Sequence, residues 1–301
     1  MSRLFNAYIV VDWSAAESRK TGEQSVWIGV MRRDVRFRLA YEAHNPDSRV
    51  EGEKLLRTLL ADFARRGERV LLAFDFPLGF PAGTAERLQL KGDPWSALWA
   101  FVGSNVVDKA DNTNNRFAVA AKFNRLMTDE ALPFWGAPAR YAQRWLSSTK
   151  PAGWPGDTPE LRLAEQATAR LGKASAKTIW QMHGAGAVGG HALLGIAAAK
   201  RLVDGLGASA AVWPFGTGWK ALTPADVEPL SVLVAETYAP LFPSKPEPGE
   251  VKDATGVRSA AEALARLDET GKLGAAFAPP KGTSEEDVQA VEREEGWILG
   301  A

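Results

Sequence analysis

The chain contains no cysteine. That excludes disulfide cross-links, a thiolate nucleophile and zinc–cysteine centres. Histidine is almost as scarce: His44, His183 and His191 are the full set. A centre built from several imidazoles is therefore disfavoured, and any metal would rest on oxygen ligands. No apolar run approaches the roughly 18 residues expected of a membrane span. The opening MSRLFNAYIVVDWS lacks the apolar core and cleavage site of a secretory signal. The expectation is a cytoplasmic protein with no membrane partner. Net charge is missing too, with 36 basic and 36 acidic residues. Its distribution is uneven, however: residues 91–200 carry 13 basic and 8 acidic residues, and residues 201–301 carry 9 and 16.

The 301 residues, 46% apolar and 24% charged, have the composition of a globular protein that can bury a sizeable core. At about 150 residues per domain, the length predicts two domains, or one with an insertion. Ala7–Val11 is an apolar run ending at Asp12. Ser25–Met31 and Val35–Tyr41 read as two further strands. Ser48 is a plausible helix cap, followed by Leu55, Leu56, Leu59, Leu60 and Phe63 at helical spacing. Arg69–Phe74 is again strand-like and ends at Asp75. The order β-β-β-α-β suits an antiparallel meander whose fourth strand returns parallel to the first. Residues 83–175 are rich in Trp, Asn, Arg and Pro and predict a mainly helical insertion between 1–82 and 176–301. Beyond it, Lys177–Met182, Ala210–Phe215 and Leu230–Ala235 read as strands, and Ala192–Val203 and Val251–Leu267 as helices.

Three apolar runs end in an acid: at Asp12, at Asp75 and at Glu236. A carboxylate beside a buried strand costs several kcal/mol unless it is paired, hydrogen-bonded or metal-bound. Ligands of open α/β sheets gather outside the carboxyl ends of the strands. A fourth acid, Asp253, shares a helical stripe with Val257, Ala260, Leu264 and Leu267, which aims it toward the sheet. Four converging acids would need a cation, and oxygen-only ligands favour Mg²⁺ or Mn²⁺. Two such ions would support phosphodiester hydrolysis. Each acid alone has a plainer role: Asp12 and Asp75 as turn caps, Asp253 in a helix first turn.

The stretch Val11-Asp12-Trp13-Ser14-Ala15-Ala16 and the run Phe74-Asp75-Phe76-Pro77-Leu78-Gly79-Phe80-Pro81, with the β-β-β-α-β start, resemble an uncharacterised bacterial domain-of-unknown-function family described as predicted RNase H-like nucleases. The resemblance continues through Trp213-Pro214-Phe215, Glu236-Thr237-Tyr238, Val251-Lys252-Asp253 and Glu295-Gly296-Trp297-Ile298-Leu299-Gly300. It implies an α/β, RNase H-like mixed sheet with flanking helices, and a nuclease or phosphodiester hydrolase whose metal is held by Asp12, Asp75, Glu236 and Asp253. Sequences of this look also carry cobalamin or molybdopterin-dinucleotide biosynthesis labels. The chain departs from a nuclease pattern at Asp75-Phe76-Pro77, where bulky neighbours leave little room for a duplex.

Two other features carry alternatives. Gly184-Ala185-Gly186-Ala187-Val188-Gly189 fits GxGxxG before a helix, a loop able to approach phosphate. NAD is disfavoured, because the next strand run, ending Val212-Trp213-Pro214-Phe215, carries no acid for the ribose. A nucleotide-binding or cofactor-biosynthesis protein remains open through Gly184, Gly186 and Gly189. In the insertion, Arg116, Arg125, Arg140 and Arg144 interleave with Phe117, Tyr141 and Trp145. That pattern suits either a single-strand nucleic-acid platform or a helical subdomain with a solvated basic face. A non-catalytic, partner-binding protein using this Trp-rich region is the third reading.

Overall fold

The computed structural model describes residues 3–36, 38–154, 158–172 and 175–301. In chain order its elements are β1 Ala7–Asp12, β2 Trp27–Arg33, β3 Leu39–His44, α1 Arg49–Arg65, β4 Val70–Phe74, α2 Thr84–Arg87, α3 Pro94–Asn105, α4 Arg116–Met127, α5 Leu163–Arg170 and α6 Gly189–Leu206. These are followed by β5 Ala210–Val212, α7 Pro224–Val227, β6 Val232–Glu236, α8 Lys252–Glu269, α9 Leu273–Ala276 and α10 Glu285–Ala290.

The strands form one six-stranded mixed sheet in the order β3-β2-β1-β4-β6-β5. β1 pairs antiparallel with β2, and β2 with β3, while β1, β4, β6 and β5 run parallel. The chain is therefore of the α/β class, with the meander and parallel return that the first ninety residues predict. Strand alternation sorts the core into two layers. Ile9, Val11, Leu72, Phe74 and Val234 face a layer shared with Leu56, Leu60 and Phe63 of α1, with α6, and with Phe117 and Phe123 of α4. Tyr8, Val10, Leu71, Ala73 and Leu233 face Val257, Ala260 and Leu264 of α8. Residues 83–175 contribute α2 to α5 and no strand among the described residues, and α3 and α4 share the first layer with the sheet.

Local chemistry sets the boundaries. Ser48 caps α1 by accepting the Glu51 N–H. The third strand starts later than Val35, because the Asp34 carboxylate accepts the N–H groups of Arg36 and Arg38 and folds this stretch into a turn. Phe37, within the expected strand, lies outside the described residues. The expected strand at Lys177–Met182 is absent. Trp135 takes both available bonds, donating to the Trp180 carbonyl and accepting from Met182, and no further ladder forms. β5 is also short, since Pro214 has no N–H to extend the ladder.

Candidate functional site

The register places the strand-end acids. Val11, Phe74 and Glu236 lie in one row across β1, β4 and β6. Asp12 ends β1, and Asp75 continues the ladder by donating its N–H to the Val11 carbonyl at 2.9 Å. Asp12 and Asp75 therefore stand one residue beyond the Val11 row. Strand alternation turns that next row toward the α8 side of the sheet. Asp253, in the first turn of α8, comes to the same place. α8 is fixed at its other end, where the Asp268 carboxylate accepts from the N–H groups of Leu4 and Phe5 and from the Tyr8 hydroxyl.

The three aspartates act on one another. Burial holds the Asp12 carboxyl well above the usual carboxylate range; the charges of Asp75 and Asp253 add to this, and Lys252 opposes it. Burial pushes Asp75 up to about 7, helped by Glu236 and Asp253 and opposed by a hydrogen bond from the Ala239 backbone. Acids this close cannot all ionise without a compensating cation. Asp253 Oδ2 accepts the Gln24 N–H at 2.6 Å. Among the described residues, no group of three Asp, Glu or His side chains stands close enough to hold a metal ion as placed. The donor set suits a hard cation in its chemistry, but the carboxylates would have to turn toward one another to close around it.

Glu236, expected as the fourth ligand, does not stand free with them. Its Oε1 accepts from Arg162 Nη2 at 2.6 Å, and its Oε2 from Arg162 Nη1 at 2.8 Å and the Leu78 N–H at 2.9 Å. Arg162 is wholly buried, also bonds Glu165 and donates to the Glu295 carbonyl. Glu236 is thus the counter-ion of a buried arginine. One residue of register separates it from the aspartate row.

Asp12 lies between two cavities. One of about 680 Å³ is lined by Asp12, Asp253, Trp13, Glu17, Lys20, Arg116, Arg140, His191 and residues 183–187. The other, about 320 Å³, adds Asp75, Glu236, Tyr238, Lys177 and Lys252 to Asp12 and His191. Gly184 and Gly186 take left-handed backbone with φ of 100° and 74° and lie on the wall of the larger cavity. Gly189 does something else: a Cβ there would stand 2.3 Å from the Ile179 carbonyl oxygen, so it allows α6 to start against the 179–182 segment. His191 is pushed down to about 4 by burial and by the Arg116 and Arg49 charges, so it is neutral near pH 7 and bonds the Ala187 backbone.

Of the four insertion arginines, the structure brings Arg116 and Arg140 to the cavity and leaves Arg125 and Arg144 around the Trp145 ring, at 5.5 and 5.1 Å from its centre. Arg144 also pairs with Asp129. Their aromatic partners are already in use, with Phe117 buried and stacked on Tyr141 at 4.5 Å. Interleaved cations and rings here hold the subdomain together. Glu17 had no motif to mark it as a site residue, because its partners Arg116 and Arg140 lie about a hundred and more positions away in sequence, whereas His191 flanks the glycine loop and could be picked out there as a candidate general acid or base.

No family model, curated protein or solved structure matches the chain. Among the described residues no helix is long and apolar enough to cross a membrane.

Proposed function

We propose that the chain is a metal-dependent phosphodiester hydrolase of RNase H-like type, acting at Asp12, Asp75 and Asp253. The observation that supports it is the gathering of three aspartates, from β1, the end of β4 and the start of α8, into a half-buried site where their charges oppose one another. A neighbouring cation discharges that conflict at small energetic cost, and Lys252 alone is outnumbered. Mg²⁺ or Mn²⁺ would supply an activated water and stabilise charge on the leaving oxygen. The aspartates would hold it, the ion taking the place of the proton that burial favours on Asp75. Glu236 enters this reading as the residue that locks the carboxyl end of β6 through Arg162. The strand order and the Val11-Asp12 and Phe74-Asp75 stretches agree with the RNase H-like resemblance.

Calorimetric titration with Mn²⁺ tests the assignment. The wild type should bind, and Asp12→Asn should lose about tenfold or more in affinity, as expected for one charged ligand. Equal binding by both proteins would overturn it.

A further inference from the structure

The larger cavity is lined by side chains of both signs, with Asp12 and Asp253 acidic and Lys20, Arg116 and Arg140 basic, together with the 184–187 loop before α6. Two of the cations already share a carboxylate of the chain itself. Glu17 Oε1 lies 3.1 Å from Arg116 Nη2, its Oε2 lies 2.6 Å from Arg140 Nη2, and the Tyr141 hydroxyl is 3.4 Å away. A planar anion shared by two guanidinium groups mimics one face of a phosphate.

Arg116 is not a surface side chain that has drifted to a neighbour. Its side chain is 6% exposed, and burial together with the Arg49 charge disfavours its positive form, so it requires an anion. Its Nε is buried with no hydrogen-bond partner. Glu17, by contrast, is 31% exposed on its side chain and has water to move into.

The backbone around Glu17 is held still. Arg49 Nη1 donates to the Ser14 and Ala16 carbonyls at 3.1 and 2.7 Å, and Asn112 Nδ2 donates to the Ser18 carbonyl at 2.9 Å. Only the Glu17 side chain needs to rotate for the two arginines to be released.

We propose that Arg116, Arg140 and Lys20 bind a phosphate group of a small, nucleotide-sized substrate, in the place that the Glu17 carboxylate holds when no substrate is bound. This names the substrate class for the hydrolytic reading above and rests on it: one phosphate at the arginines positions another at Asp12. A cavity of about 680 Å³ suits a mononucleotide or dinucleotide, within the usual range of about 300–1,000 Å³ for small-molecule sites.

The test is calorimetry with inorganic pyrophosphate and with adenosine 5′-monophosphate, in EDTA so that no metal takes part. At least one probe should bind the wild type. Arg140→Ala, at an exposed position that leaves folding intact, should weaken that binding about tenfold or more, as for a lost charge-assisted bond. Glu17→Gln should tighten it several-fold, because the internal competitor is gone. Absence of binding to both wild type and Glu17→Gln, or binding indifferent to Arg140→Ala, overturns the proposal. A null Mn²⁺ titration with these results intact would remove the metal reading alone.

Discussion

Replacing Glu236 by Gln leaves Arg162 facing Glu165 alone, in a place where both side chains are closed to water. Losing one partner of a buried, doubly hydrogen-bonded ion pair is costly even with Glu165 left in place, so Glu236→Gln should lose about 3 kcal/mol of stability in urea unfolding, with any Mn²⁺ binding weakened far less than by Asp12→Asn. A loss confined to Mn²⁺ affinity, with stability unchanged, would make Glu236 a ligand after all. At this scale the sequence was partly legible. Three acids at strand ends were visible, and so was the inward stripe of Asp253. Their parity was not, because a side chain's face depends on register, and pairing Phe74 with Glu236 is set by strands more than 150 residues apart. Arg162 gave no signal, since its partners Glu236 and Glu295 arrive from the far end of the chain.

Elements position the site through contacts that tolerate little change. Gly195, in the middle of α6, lies against the ring of Phe76, the residue after Asp75: a Cβ would come 2.3 Å from Phe76 Cζ. Gly195→Ala should therefore destabilise by about 1–3 kcal/mol through overpacking, and by displacing Phe76 it should weaken Mn²⁺ binding as well. Urea unfolding and calorimetry on the same variant check both; unchanged stability would show that the ring moves aside freely. Helices with a cap and an apolar stripe, such as α1 and α8, were legible from spacing. The 177–182 run was misread because Ile179 and Trp180 are apolar and buried like a strand, yet find only Trp135 to pair with.

For the whole molecule, the aspartate group sets a pH dependence. Asp75 has its pKa raised from the ordinary carboxylate value to about 7. Its folded form binds the proton more tightly than the unfolded form, so its contribution to stability is present at low pH and fades as pH rises through about 7. A divalent ion replaces that proton. Mn²⁺ should raise the melting temperature at pH 8 and much less at pH 5, where protons compete, while Asp12→Asn should respond little at either pH. Shifts of equal size at both pH values would place the ion elsewhere. The α/β class and the order β3-β2-β1-β4 were legible from the first ninety residues, whereas the places of β6 and β5 beside β4 were not. What joins residues 83–175 to the sheet, a shared apolar layer through α3 and α4, was not, because it depends on packing between distant segments.

Anomalous scattering from a crystal soaked in Mn²⁺ at pH 8 tests the central claim most directly. The account predicts a peak within coordination distance of the Asp12 and Asp75 carboxylates, with Asp253 turned toward it and Glu236 still on Arg162. A crystal with no peak there, or with Mn²⁺ bound only by other carboxylates, would contradict it.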